Sequence, residues 1–233
     1  MIVALNNKCN LTKDEFNNYI NELNKISTEN QLILCPTFLH VPSASEKANS
    51  NIDLGAQNVS CNTKGAHTGE ISAEQLKSFD VKYCIVGHSE RRAEERETNE
   101  EIKEKIVRLF EQDITPILCI EESNEVRENN TYKEVITEEL SVALDSLPEE
   151  QKNRVIIAYE PIWSIGTGLI PTNDQIEEVN NFIKSKYNNK VLYGGSANDK
   201  NIDELKKCST IDGYLLGGLS LKPTNLQDFV NKL

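Results

Sequence analysis

Arg154-Val155-Ile156-Ile157-Ala158-Tyr159-Glu160-Pro161-Ile162-Trp163-Ser164-Ile165-Gly166-Thr167-Gly168 is the stretch whose reading decides the fold. From Arg154 to Tyr159 the run is apolar and rich in β-branched residues, which predicts a buried strand ending at Glu160. Pro161 then stiffens the chain, and Gly166 and Gly168 admit backbone angles closed to other residues. The middle of this loop is apolar, which is unusual for an exposed connection. Stiff ends and a greasy centre suit a lid that closes over something small. A carboxylate at the base of such a lid would be shut into a dry cavity, lose its water and become a better base. A lone Glu at a strand end is ordinarily just solvated; the whole string sets Glu160 apart.

Working outward, short apolar runs alternate with longer polar runs of helical period. Strands are predicted at Ile2–Asn6, Gln31–Pro36, Ile52–Asn58, Tyr83–His88, Ile114–Ile120, Arg154–Glu160, Lys190–Gly195 and Gly213–Gly217. The clearest helix is Asn99–Gln112, with Ile102, Ile106, Leu109 and Phe110 on one face. Tyr132–Leu147 and Asp174–Tyr187 follow the same pattern, the latter with Thr172 as its cap candidate, and Asn225–Leu233 closes the chain. About eight βα units without a linker predict one α/β domain over residues 1–233, a (β/α)8 barrel. A doubly wound sheet is the alternative, but it usually carries a glycine-rich turn after its first strand. Here that turn is Asn6-Asn7-Lys8-Cys9-Asn10.

A chain of 233 residues with 38% hydrophobic and 27% charged content can bury a core and stay in water. The formal charge of −12 argues against nucleic acid and anionic membranes as partners. An anionic substrate would need positive potential supplied locally by the site. Cys9, Cys35, Cys61, Cys84, Cys119 and Cys208 form no CxxC pair and have no nearby His, so no metal site is expected. Cys35, Cys84 and Cys119 read as small buried hydrophobes within strands. No run is apolar enough to span a membrane, and the start of the chain does not read as a signal peptide. A reducing, cytoplasmic setting is the expectation.

In a (β/α)8 barrel the active site lies at the C-terminal ends of the strands. Alternation at the end of the first strand puts Asn6 and Lys8 on one face, with Cys9 facing away. His88 ends the fourth strand beside an expected helix start, where Ser89 is a cap candidate. A helix N-terminus disfavours a cation, so His88 is expected to be neutral and to donate a hydrogen bond. Glycine-rich turns offer the backbone N–H groups that phosphate needs. Gly166 in the lid, Gly194-Gly195-Ser196 after the seventh strand and Gly217-Gly218 after the eighth are the candidates.

The Ala158-to-Gly168 string and the block Gly87-His88-Ser89-Glu90-Arg91-Arg92 together resemble the triosephosphate isomerase family, and weaker anchors extend the resemblance over the whole chain. It implies an isomerase of glycolysis and gluconeogenesis that interconverts dihydroxyacetone phosphate and glyceraldehyde 3-phosphate without a cofactor or metal. Glu160 would be the base, His88 the hydrogen-bonding electrophile and Lys8 the electrostatic partner. Asn6, Lys8, Gly166, Ser196, Gly217 and Gly218 would touch substrate, and Glu90 would support Lys8. The same resemblance implies a homodimer in which the Gly65-to-Ser72 loop, with Thr68 at its tip, packs over Cys9 of a second copy. Glu70 would then pair with Arg91 across the interface. Leu5, Asn7, His67, Glu121 and Leu219 depart from the pattern; the family usually has Gly where Glu121 stands. A Schiff-base aldolase type of barrel enzyme and a catalytically inactive binding paralogue are the rival readings.

Overall fold

The computed structural model describes residues 1–164 and 170–233. Its strands are β1 (Ile2–Asn6), β2 (Gln31–Cys35), β3 (Ile52–Ala56), β4 (Tyr83–Val86), β5 (Thr115–Glu122), β6 (Ile156–Pro161), β7 (Val191–Tyr193) and β8 (Gly213–Leu216). Each pairs in parallel with the next, and β8 pairs back with β1, so the sheet closes in the order β1 to β8. The closed order rules out the doubly wound alternative. The helices are α1 (Lys13–Leu23), α2 (Val41–Lys47), α3 (Ala73–Lys77), α4 (Ser89–Glu94), α5 (Asn99–Glu111), α6 (Asn124–Glu128), α7 (Tyr132–Leu144), α8 (Glu149–Arg154), α9 (Asn173–Lys186), α10 (Ile202–Leu205) and α11 (Pro223–Val230).

Two apolar layers hold the barrel. The inner one is small and made of alternate strand residues, among them Ile2, Ala4, Ile33, Ile85, Ile117, Cys119, Ile156, Ala158, Leu192 and Leu215. The outer one is larger and joins the other strand face, including Val3, Leu5, Leu118, Ile120, Ile157 and Tyr159, to the helices. Alternation on a pleated strand produces both layers from one sequence. The face predicted for α5 is buried as expected, with Ile102, Ile106 and Leu109 fully covered. Thr172 caps α9, its side chain accepting from Gln175 N–H. Cys35, Cys84 and Cys119 are buried in strands.

Element ends differ from the sequence reading in places. Arg154 is not the start of a strand but the last residue of α8; Val155 makes the turn to extended backbone, and β6 begins at Ile156. Here a short polar helix runs straight into an apolar strand, with no Gly or Pro to mark the border. β5 runs on past Ile120 to Glu122, because Glu121 and Glu122 keep the parallel pairing with Glu160 and Pro161. Carboxylates at a strand end break the apolar pattern while the hydrogen-bond ladder continues. β7 is shorter than predicted, ending at Tyr193 before the glycines.

Candidate active site

The strand ends converge on a cavity of about 260 Å³ lined by Asn6, Lys8, His88, Glu160, Ser196, Gly217 and Gly218, together with Gly194 and Asn198. The residues predicted at the ends of the first, fourth, sixth, seventh and eighth strands thus meet in one place. Gly166 lies outside the described residues, as does Gly168. A second cavity of about 270 Å³ adjoins it on the other side of Lys8, bounded by Cys9, Gln57, Glu90 and Arg91 among others.

Asn6 reaches the mouth by alternation, since Ile2 and Ala4 below it face the barrel interior. Lys8 arrives there differently. Asn7 faces outward, its amide donating to Tyr19 Oη at 3.3 Å and Ser220 Oγ at 3.2 Å. Lys8 then takes φ +53°, a left-handed conformation that costs a non-glycine residue about 1 kcal/mol. Strand alternation therefore does not place it, contrary to the sequence reading. Asn6 Oδ1 accepts from Lys8 N–H at 3.0 Å, and Gln57 Nε2 donates to Lys8 O at 3.0 Å. These two bonds offset the strain and hold the backbone turn that aims Lys8 at the cavity. Its Nζ pairs with Glu90 Oε1 at 2.5 Å, and Gly217 leaves room for its stem, where a Cβ would stand 3.2 Å from Lys8 Cε.

His88 itself, rather than Ser89, is the N-cap of α4. Its Nδ1 accepts from Glu90 N–H at 3.2 Å. A ring nitrogen that accepts carries no proton, so the imidazole is neutral and its hydrogen sits on Nε2. Nε2 lies 3.1 Å from Glu160 Oε1 and is its donor. Glu160 is 2% exposed, and its other oxygen accepts from Ser89 N–H at 3.0 Å. Both carboxylate oxygens are thus held by donors at the start of α4. Gly194 makes space for this side chain, since a Cβ there would come within 2.9 Å of Glu160 Cγ.

The phosphate-type turns lie opposite. Ser196 Oγ donates to Ser164 O at 3.2 Å, tying the end of β7 to the segment after β6. Ser220 Oγ donates to Asn6 O at 3.0 Å and, through Asn7, ties the turn after β8 to the end of β1. The 65–72 loop stands clear of the cavity: Thr68 and Glu70 are exposed, as is Cys9. Arg91 pairs within the chain with Glu97, which also holds Lys105.

Below the mouth sits an acidic cluster. Arg92 Nε donates to Gly87 O at 2.8 Å, and its Nη1 lies 3.7 Å from Glu139 Oε1. Burial raises the Glu139 carboxyl to about 7, partly opposed by Arg92 and the N–H of Glu121. Burial likewise raises the Glu121 carboxyl, with Glu160 adding to the rise and Arg92 opposing it. On the outer face Glu122 is fully buried, bonded to Tyr159 Oη and 3.1 Å from Arg127 Nη1. Among the described residues, no three His, Cys, Asp or Glu side chains are grouped to hold a metal ion.

Sequence reasoning missed Gln57, Asn7 and the main-chain N–H of Ser89. Gln57 follows directly on β3, so a search of strand ends for polar side chains would have found it. The Ser89 N–H carries no signal in its residue type at all.

A closed barrel whose C-terminal mouth holds a carboxylate–imidazole pair over a glycine-lined cavity is the layout of a (β/α)8 enzyme. The family model for Triosephosphate isomerase matches residues 1–233, and the chain belongs to that family. The triosephosphate isomerase of Clostridium tetani is 39% identical over 243 aligned positions, covering 99% of this chain and 95% of its own. Those of Dictyoglomus turgidum and Emericella nidulans are 38% and 39% identical, each covering 98% of this chain.

Proposed function

We propose that this chain, acting as one catalytic domain, interconverts dihydroxyacetone phosphate and D-glyceraldehyde 3-phosphate, with Glu160 as the base. The observation that carries this reading is the buried pair itself. A carboxylate and a neutral imidazole with its proton on Nε2 stand 3.1 Å apart at the edge of the glycine-lined cavity. Glu160 takes a proton from the carbon next to the substrate carbonyl and returns it to the neighbouring carbon. His88 Nε2–H donates to the oxygen that becomes the enediolate, and Lys8 adds positive potential there. Pairing a neutral histidine donor with a glutamate base is the pattern already established for triosephosphate isomerase. To reach substrate, the carboxylate must leave the N–H of Ser89 and His88 Nε2. Asn6 orients Lys8, Gly217 and Gly218 with Ser196 offer the phosphate its backbone and hydroxyl donors, and Gly166 would add another.

Lys8 argues against the aldolase-type alternative. It is paired with Glu90 and its side chain is 28% exposed, whereas Schiff-base chemistry calls for a desolvated, unpaired amine. A coupled assay with D-glyceraldehyde 3-phosphate tests the reading. Turnover in the range of tens per second or more supports it, and no turnover above background overturns it.

The working form is a homodimer in which the 65–72 loop, Thr68 at its tip, covers Cys9, and Glu70 meets Arg91. Cys9 and Thr68 are both exposed and Cys9 directly follows Lys8, which supports this arrangement. Light scattering at micromolar concentration should give a dimer mass, and a bulky thiol reagent should lower dimer fraction and activity together. A Cys9→Ala control that stays resistant assigns the effect; a monomeric native protein overturns the arrangement. Six free cysteines suit a reducing compartment, and the cytoplasm is the setting we assign. No helix among the described residues is long and apolar enough to cross a membrane.

A further inference from the structure

Glu121 occupies a place that the proposed chemistry does not use. On β5 the residues facing the barrel interior are Ile117 and Cys119, while Leu118 and Ile120 face the helices. The next inward position is Glu121. On β6 the inward series is Ile156, Ala158 and then Glu160. The two strands are in parallel register with Glu121 directly opposite Glu160. Registered residues on neighbouring strands lie about 5 Å apart at Cα and point to the same side. The barrel mouth therefore holds two adjacent carboxylates on one face, where the family pattern has a glycine beside the base.

The charged groups around Glu121 are few. Arg92 on α4 favours its ionised form and Glu160 on β6 disfavours it, and the neutral His88 ring at the start of α4 is the remaining titratable neighbour. Glu139 on α7 accepts the Glu121 N–H at 3.1 Å and competes for the same guanidinium. One arginine thus serves two carboxylates, Glu121 and Glu139. No described residue donates a hydrogen bond to the Glu121 carboxylate. Its own carboxyl is raised by burial first and by Glu160 among the rest.

We propose that Glu121 is a positioning residue for Glu160 that sets, through charge, the pH range in which the base works. This rests on the assignment of Glu160 as the base. Two like charges this close in a partly dehydrated mouth titrate as a coupled pair: each makes the other harder to ionise. The pair takes up its first proton at a higher pH than a single carboxylate would, and the acid limb of kcat/KM moves up with it. Glu121 does not touch substrate; it acts only through the neighbouring carboxylate.

The test is the pH profile of kcat/KM for wild type, Glu121→Gln, Glu121→Gly and Glu121→Asp in the coupled assay. The substrate's own phosphate ionises in the same region, but identically for all four proteins, so only the differences count. Glu121→Gln and Glu121→Gly should shift the acid limb down by roughly half to one pH unit. Glu121→Asp keeps the charge and should keep the wild-type limb. An unshifted limb in both neutral variants overturns the proposal, and so does a shift in Glu121→Asp as large as theirs. Glu160→Gln, run alongside, separates this from the underlying assignment. If Glu160→Gln retains activity, the base is elsewhere; if it is inactive and the limbs do not move, only the role of Glu121 fails.

Discussion

Strand β6 sends three side chains into the barrel: Ile156, Ala158 and Glu160. They share a strand and a face, and successive ones are two residues apart, yet they do opposite jobs. Ile156 and Ala158 belong to a packed apolar layer that also holds Ile117 and Leu215. Glu160 is as buried as they are, at 2%, but it is surrounded by donors instead of methyl groups. The same contrast recurs on β1, between Ile2 and Ala4 below and Asn6 above, and on β5, between Ile117 and Glu121. One step up the pleat turns a packing position into a chemical one. The barrel interior supplies stability and rigid aim; its rim supplies reactivity at some cost to stability.

The sharpest break in that contrast is at Glu160. Glu160→Asp withdraws the carboxylate by about 1 Å, and kcat should fall roughly 10²-fold or more, with the melting temperature nearly unchanged. A near-normal kcat would remove Glu160 as the base. The layer below should behave in the opposite way. Ile117 is fully buried within the inner layer, so Ile117→Ala should cost about 2–5 kcal/mol in urea unfolding while kcat changes by less than about twofold. A variant of full stability and poor activity would erase the division of labour.

The acidic cluster sharpens the comparison through pH. The Glu139 carboxyl rises from its ordinary 4.5 to about 7 in the folded chain. Between those values the folded state keeps a proton that the unfolded state has released. Stability is therefore highest below about pH 4.5 for this group, falls as pH rises, and levels off above about 7, a loss on the order of 3 kcal/mol. Glu139→Gln keeps the acceptor for Glu121 N–H and removes the titration. It should flatten the unfolding free energy between about pH 5 and 7, as read from urea curves. An unchanged slope would place the titrating group elsewhere. The smallest effect is expected at Gly217, where a Cβ would stand 3.2 Å from Lys8 Cε. Gly217→Ala should raise KM a few-fold by shifting Lys8, with little change in stability; an unaltered KM would mean the lysine stem yields freely.

The barrel was legible because its rule is repetitive. Apolar runs of strand length, separated by amphipathic helices, recur along the chain, and the same alternation that builds the inner layer marks Asn6 and Glu160 as rim positions. What escaped the sequence lies just past each strand, where alternation no longer governs. Lys8 reaches the cavity by a left-handed turn held by Gln57, and His88 caps a helix with its own ring. The Ser89 N–H that grips Glu160 is a backbone group, identical in every residue type but proline. Glu139 was hidden for another reason: it sits on the buried side of α7, where a carboxylate breaks the apolar period that marks the helix.

The most direct test of the central claim follows the proton. Dihydroxyacetone phosphate is incubated with the enzyme in D2O and deuterium is read at the reacting carbons by NMR. Wild type should incorporate solvent deuterium as it forms glyceraldehyde 3-phosphate, and Glu160→Gln should do neither while keeping its fold. Exchange that survives in Glu160→Gln would contradict the account, because the proton would then be moving through some other group.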